Sequence, residues 1–89
     1  MTSSGTPEFW AMYHALPAGV GAAARAAYRK FAQNPAHPSL SLERLRRDDR
    51  AWSVRVTLDY RAVARRFQND EWLWIWIGSH KDFDRMFPR

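Results

Sequence analysis

The run Trp72-Leu73-Trp74-Ile75-Trp76-Ile77 constrains this chain's fold more than any other stretch. Bulky aromatic and β-branched residues of this kind fit a pleated, buried surface, so the run reads as a strand. At a period of two, Trp72, Trp74 and Trp76 point to one side while Leu73, Ile75 and Ile77 point to the other. Both faces are apolar, and such a strand must be central in its sheet or covered on both sides. It stops at Gly78-Ser79-His80, which sets a histidine, the residue type whose charge changes near neutral pH, at the rim of a sheet.

The other segments supply the layers. Thr6 is placed to cap a helix, with Pro7 at its first position and Glu8 in its first turn. Phe9, Met12, Tyr13 and Leu16 then share one face. Pro17 ends this helix and opens a second, in which Val20, Ala24, Ala27, Tyr28 and Phe31 form the apolar face. The two are expected to make a helical hairpin. Gly19-Val20-Gly21 is no phosphate-binding fingerprint, because no strand precedes it and Ala24 stands at the third glycine position. Asn34-Pro35-Ala36-His37-Pro38-Ser39 is a loop, since two prolines in four residues forbid a helix.

Beyond it the pattern alternates. Leu40, Leu42 and Leu45 suggest a short, irregular edge strand; Trp52, Val54, Val56 and Leu58 alternate with polar residues; a further strand runs from Arg61 to Phe67, and Gln68-Asn69-Asp70-Glu71 turns into the apolar run. The expectation is a single α+β domain, with Met1–Gly5 outside its ordered body. The helical hairpin packs on a three- to four-stranded antiparallel sheet, and a short helix or turn closes the chain.

Charge is concentrated. Between Arg44 and Arg66 lie eight arginines against three acids, a net of +5 that equals the formal charge of the whole chain. Arginine's planar fork matches phosphate and carboxylate, so the segment points to a polyanionic partner as much as to a solvated face. No helix concentrates these residues, which argues against a sequence-specific DNA reader. There is no cysteine among the 89 residues, excluding disulfides and thiolate metal sites and fitting a reducing cytoplasm. No apolar run approaches the roughly 18 residues of a membrane span, and the first residues lack a signal-peptide pattern. A soluble cytoplasmic protein that needs neither membrane nor cofactor is expected.

The chemistry open to such residues is metal-free phosphodiester cleavage. It needs a base for the attacking hydroxyl, donors for the charge on the phosphorane and an acid for the leaving oxygen. His80 is the candidate base or acid; Arg61 and Arg55 are candidate electrostatic groups, and Arg85 joins them if the C-terminal segment is helical. Arg44, Arg46 and Arg65 are candidate phosphate contacts. His80, Asp82 and Asp84 read more simply as a helix start with acids near its positive end than as a metal site. His14 and His37 carry no assigned chemistry.

The order of a helical hairpin, a basic edge strand, a strand opening Asp59-Tyr60-Arg61-Ala62-Val63 and an apolar strand ending Ile77-Gly78-Ser79-His80 resembles the RelE/ParE superfamily of toxins from bacterial toxin–antitoxin systems. Asn34-Pro35-Ala36-His37-Pro38-Ser39-Leu40, Glu43-Arg44-Leu45 and the closing Gly-Ser-His, acid, aromatic, Asp-Arg pattern resemble a RelE-like subgroup. The likeness runs from Phe9 to Phe87.

The resemblance implies a growth inhibitor held inactive by a cognate antitoxin in a hetero-oligomer that meets operator DNA only through the antitoxin. RelE-like members cleave messenger RNA on the ribosome without a metal, whereas ParE-like members poison DNA gyrase; a degenerate toxin acting only as a corepressor is a third reading. By resemblance Arg61 contacts the scissile phosphate, Arg55 is a basic neighbour, and His80 stands at a catalytic position. Phe83 falls where many relatives have a catalytic tyrosine, leaving it a stacking or packing role. One departure from the family is expected: too few residues precede Thr6 for the N-terminal strand of many relatives, so one sheet edge is expected to be open to an antitoxin strand.

Overall fold

The computed structural model describes residues 1–88. A strand β1 (Thr2–Gly5) leads into helices α1 (Pro7–His14) and α2 (Ala18–Gln33). Strands β2 (Glu43–Arg44), β3 (Ala51–Thr57), β4 (Tyr60–Phe67) and β5 (Glu71–Ser79) follow, and α3 (His80–Met86) ends the chain. The five strands lie in the order β1-β5-β4-β3-β2, antiparallel except for the parallel β1–β5 pair. The α+β class and the C-terminal helix agree with the sequence reading.

Two expectations are corrected. The N-terminal strand exists: Thr2 pairs with Glu71 and Gly5 with Trp74, so the sheet has five strands rather than three or four and is mixed. That edge is occupied by the chain itself. At the opposite edge, the stretch expected as one strand from Leu40 to Leu45 is a 3₁₀ turn at Pro38–Leu40 followed by the two-residue β2. Ser41, at φ 46° in the left-handed region, separates the two, and Leu40 turns inward to become fully buried.

The helices form as their end signals require. Thr6 Oγ1 accepts the Phe9 amide at 3.0 Å, and Ser79 Oγ accepts the Asp82 amide at 3.1 Å, each satisfying an orphan donor of a first turn. On one side of the sheet α1 and α2 bury Phe9, Ala27 and Phe31 against Val54, Ala62, Ala64, Trp72, Trp74 and Ile77. Phe31 meets Trp72 and Trp74 edge-on, with centroids 4.9 and 5.1 Å apart; such pairs add about 0.5–1.5 kcal/mol each beyond their burial.

The tryptophans do not all share a face. Val63 pairs with Trp76 but Ala64 pairs with Trp74, so Ile75 is an extra residue, a β-bulge in β5. Trp76 is thereby turned to the far side of the sheet, where it packs with Ala51, Val63 and Phe83, while Ile77 turns back under α1 and α2. The expectation that Trp76 follows Trp72 and Trp74 fails because a bulge inverts the alternation beyond it. The result is two cores, with α3 covering the second. Gly78 makes this packing possible, since a Cβ there would lie 2.8 Å from the Trp76 ring.

Candidate functional site: paired arginines beside a histidine at the sheet rim

Register decides which arginines share a surface. Arg55 on β3 and Arg61 on β4 are direct cross-strand partners, and Arg61 also lies opposite Gly78 on β5, the position over which the Trp76 ring packs. Both arginines therefore face the α3 side, one residue pair from the β3–β4 turn. Arg61 donates to the carbonyls of Thr57, at 2.9 Å, and Tyr60, at 3.2 Å, which anchors its guanidinium at the turn. Arg55 Nε is buried without a hydrogen-bond partner. Burial, and then the charge of Arg55, hold the Arg61 pKa below the ordinary arginine value, against weaker opposite pulls from Asp84 and Glu43. Two like charges set opposite each other across a ladder are unfavourable for the fold, and a group near them that carries negative charge is correspondingly favoured.

His80 is the first residue of α3, and its amide donates to the Asp59 carbonyl at 2.6 Å, tying the helix start to the β3–β4 turn. Its ring stays half-exposed, with Nε2 3.5 Å from the Asp84 carboxylate one helical turn on. Asp84 thus neighbours both His80 and the charge of Arg61, joining the histidine and the arginine pair in one locale. Asp84 was missed as a site residue, although the His80–Asp84 spacing of four was there to be read.

The other candidates scatter. Arg65 shares the face of Arg61, but its Nε donates to Asp48 at 3.1 Å. Arg44 lies opposite Trp52, which packs on the α1/α2 side, so by register its side chain leaves for the other face, although the residue also borders the cleft at the end of α3. Arg66, opposite Trp72, goes the same way and sits 5.1 Å over that ring. Arg46 borders a cleft of about 190 Å³ between the segment 43–48 and the end of α3. Arg85 hydrogen-bonds Asp82 and lies roughly 140° around α3 from His80, given 3.6 residues per turn. A single track through Arg44, Arg46, Arg55, Arg61 and Arg65 is therefore not formed, nor does Arg85 join His80.

Phe83 is 5% exposed and packs against Trp76, at 6.1 Å, and Phe87, at 5.5 Å. Stacking on a substrate base is closed to it; its role is packing. His37 Nδ1 accepts the Ser39 amide at 3.1 Å, and His14 packs on Trp10 and Tyr13, so neither has a chemical setting. Among the described residues no group of acids and histidines could hold a metal ion, and no helix is long and apolar enough to cross a membrane.

A second feature lies on the opposite side of the sheet. Between α1 and α2 runs a groove of about 470 Å³ with an almost wholly apolar lining that includes Phe9, Trp10, Tyr28, Phe31 and Trp74. Trp10 and Tyr28 remain 46% and 42% exposed. The two helices of the expected hairpin are splayed and bridged by the bond from Arg25 to the Tyr13 hydroxyl, at 2.9 Å.

A family model described as the ParE-like toxin domain matches residues 20–85. The chain belongs to this toxin family. Within the RelE/ParE superfamily of toxins its fold is similar to several solved structures. The YoeB/ParE toxin from Agrobacterium tumefaciens superposes with a TM-score of 0.73 at 21% identity, covering 90% of this chain and 99% of that one. The toxin–antitoxin complex RelB-RelE from Methanococcus jannaschii gives 0.68 at 14% identity, covering 94% and 98%. The complex RelBE2 from Mycobacterium tuberculosis gives 0.62 at 22% identity, covering 89% and 96%. No curated protein sequence matches it. This toxin places its paired arginines, Arg55 and Arg61, on the side of the sheet away from α1 and α2.

Proposed function

We propose that this chain is the toxin of a toxin–antitoxin pair and inhibits translation by cutting messenger RNA on the ribosome without a metal. The observation carrying this reading is the Arg55–Arg61 pair: two arginines that are direct cross-strand partners at a cost to the fold, on the sheet end where a half-exposed histidine opens α3. Such an arrangement suits a phosphodiester in reaction. His80 takes the proton of the attacking 2′-hydroxyl or returns one to the leaving 5′-oxygen, and the arginines stabilise the charge that grows on the phosphorane. No buried hydroxyl is required at Phe83.

The partner follows from both surfaces. An antitoxin with an amphipathic helix fits the apolar groove between α1 and α2, and an acidic segment fits the arginines, whose charges repel when uncovered. Two of the similar structures are toxin–antitoxin complexes. In the cell the proposed assembly is a cytoplasmic hetero-oligomer that reaches operator DNA through the antitoxin.

Poisoning of DNA gyrase is the second reading, favoured by the family description ParE-like and by a phenylalanine, rather than a hydroxyl-bearing residue, at position 83. Brief expression followed by mapping of messenger RNA ends separates the two. His80→Gln is expected to lower cleavage by about 10²–10⁴-fold and Arg61→Ala by about 10²–10³-fold. Intact messenger RNA together with gyrase-dependent DNA breaks would overturn the nuclease reading.

A further inference from the structure

We infer that Asp84 is a positioning residue for His80: its carboxylate takes the Nε2 side of the imidazole and leaves Nδ1 to act on the substrate. The inference rests on the cleavage reading above. Asp84 Oδ1 stands 3.5 Å from His80 Nε2, one helical turn along α3, and residues four apart on a helix share a face. Among the described residues, Nδ1 has no hydrogen-bond partner.

A histidine at the first position of a helix is anchored by its main chain alone, in this toxin by the bond from its amide to the Asp59 carbonyl. The ring itself can turn, since the χ2 torsion of histidine is broad and two-fold. A ring that flips presents either nitrogen to the substrate. The Phe83 ring, with its centroid 6.2 Å away and its plane tilted by 52°, bounds one side of this motion, and the Asp84 carboxylate gives the two orientations different energies. Of the two acids on α3, Asp82 is engaged by Arg85, which leaves Asp84 for the histidine.

The choice of nitrogen follows from donor and acceptor counts. A neutral imidazole carries one N–H and one lone pair, and a carboxylate only accepts. The proton therefore resides on Nε2 and the lone pair on Nδ1. In the reaction Nδ1 takes the 2′-hydroxyl proton as the O2′–P bond forms and the P–O5′ bond breaks; the 5′-oxygen takes a proton from solvent, and His80 afterwards returns its own to solvent. The imidazolium that exists in between lies against Asp84, whose negative charge favours it.

The test uses the isolated toxin and its Asp84→Ala and Asp84→Glu variants, labelled with ¹⁵N at the histidines. In alkaline buffer, where imidazole is neutral, long-range ¹H–¹⁵N spectra should show the His80 proton on Nε2 alone in the parent and shared between both nitrogens in Asp84→Ala. The Asp84 side chain is 62% exposed and alanine is a strong helix former, so this variant keeps the fold. Its cleavage of ribosome-bound messenger RNA should lose about 5-fold in kcat, the worth of an exposed charge pair, with KM unchanged; Asp84→Glu, which keeps a carboxylate on the same face, should recover most of the loss. A mixed tautomer in the parent, or an unchanged kcat in Asp84→Ala, would overturn the proposal while cleavage by the parent upholds the nuclease reading. A lower KM with kcat intact would also overturn it, by showing that Asp84 only screens Arg61 from phosphate. If the parent cuts no messenger RNA, the role of Asp84 and the nuclease reading fall together.

Discussion

Replacing Arg55 by methionine should make this protein more stable and less active. Arg55 Nε is buried without a partner, an omission that costs about 1–3 kcal/mol. Its charge faces that of Arg61 directly across the β3–β4 ladder, adding roughly 0.2–1 kcal/mol of strain. Methionine keeps most of the aliphatic stem and removes both terms, while the lost dispersion contacts of the guanidinium offset part of the gain. The net gain is on the order of 1–2 kcal/mol. For a domain of this size each kcal/mol shifts Tm by about 4–8 °C, so a rise of roughly 5–15 °C is expected in a calorimetric melt of the isolated toxin. The sign of the pH effect follows from the lowered Arg61 value. A base whose folded pKa is depressed destabilises the fold wherever it is charged, with relief only as pH rises through that value. Arginine stays charged at all ordinary pH, so the gain in Tm should be constant around neutrality. Cleavage, measured in the same preparation, should fall by about 10²-fold or more. A well-folded Arg55→Met protein with unchanged or lower Tm would refute the claim that the arginine pair is held against the fold's interest.

Three further expectations follow. Phe83→Tyr should not raise activity: the hydroxyl enters a buried site at Trp76 and Phe87, and denaturant titration should show a loss of about 1–3 kcal/mol. Gly78→Ala puts a methyl 2.8 Å from the Trp76 ring and should cost about 1–3 kcal/mol by overpacking, with a displaced Trp76 emission spectrum; an unperturbed spectrum would show that the ring is free to move. Asp82 is held below its usual 3.8 by its bond to Arg85 and then by Ser79 Oγ, so its support for the first turn of α3 is complete above that value. The support fades as pH falls from there through the lower folded value, and α3 amides should exchange faster in acid, an effect that Asp82→Asn removes.

How much of this site was legible can be argued residue by residue. His80 at the end of an apolar strand and Arg61 just beyond a two-residue turn are set by local chemistry, because Gly78-Ser79 stops β5 and Thr57–Tyr60 closes a hairpin. Their cross-strand neighbourhood follows from antiparallel pairing. The role of Phe83 was not legible: as a letter it allows stacking or packing, and only its burial beneath α3 decides for packing.

What the sequence determined by itself is what short-range physics governs: the capped helices α1 and α3, the alanine-lined face of α2, the two hairpins, and the net charge of +5. Tertiary structure alone decided three things. β1 is a strand because the edge of β5 offers it main-chain partners, while Trp74 Nε1 bonds Ser3 Oγ at 3.3 Å and Gly5 lets Phe9 and Trp10 approach; nothing in Thr-Ser-Ser-Gly has a strand's pattern. The bulge at Ile75 turns Trp76 toward α3, a choice made by the space between the sheet and that helix rather than by the alternation of residues. The division of the arginines between two faces then follows from register, a long-range quantity: Arg55 and Arg61 meet, while Arg44 and Arg66 are carried to the opposite side. Sequence fixes how many charges a strand bears, and pairing fixes which of them can act together.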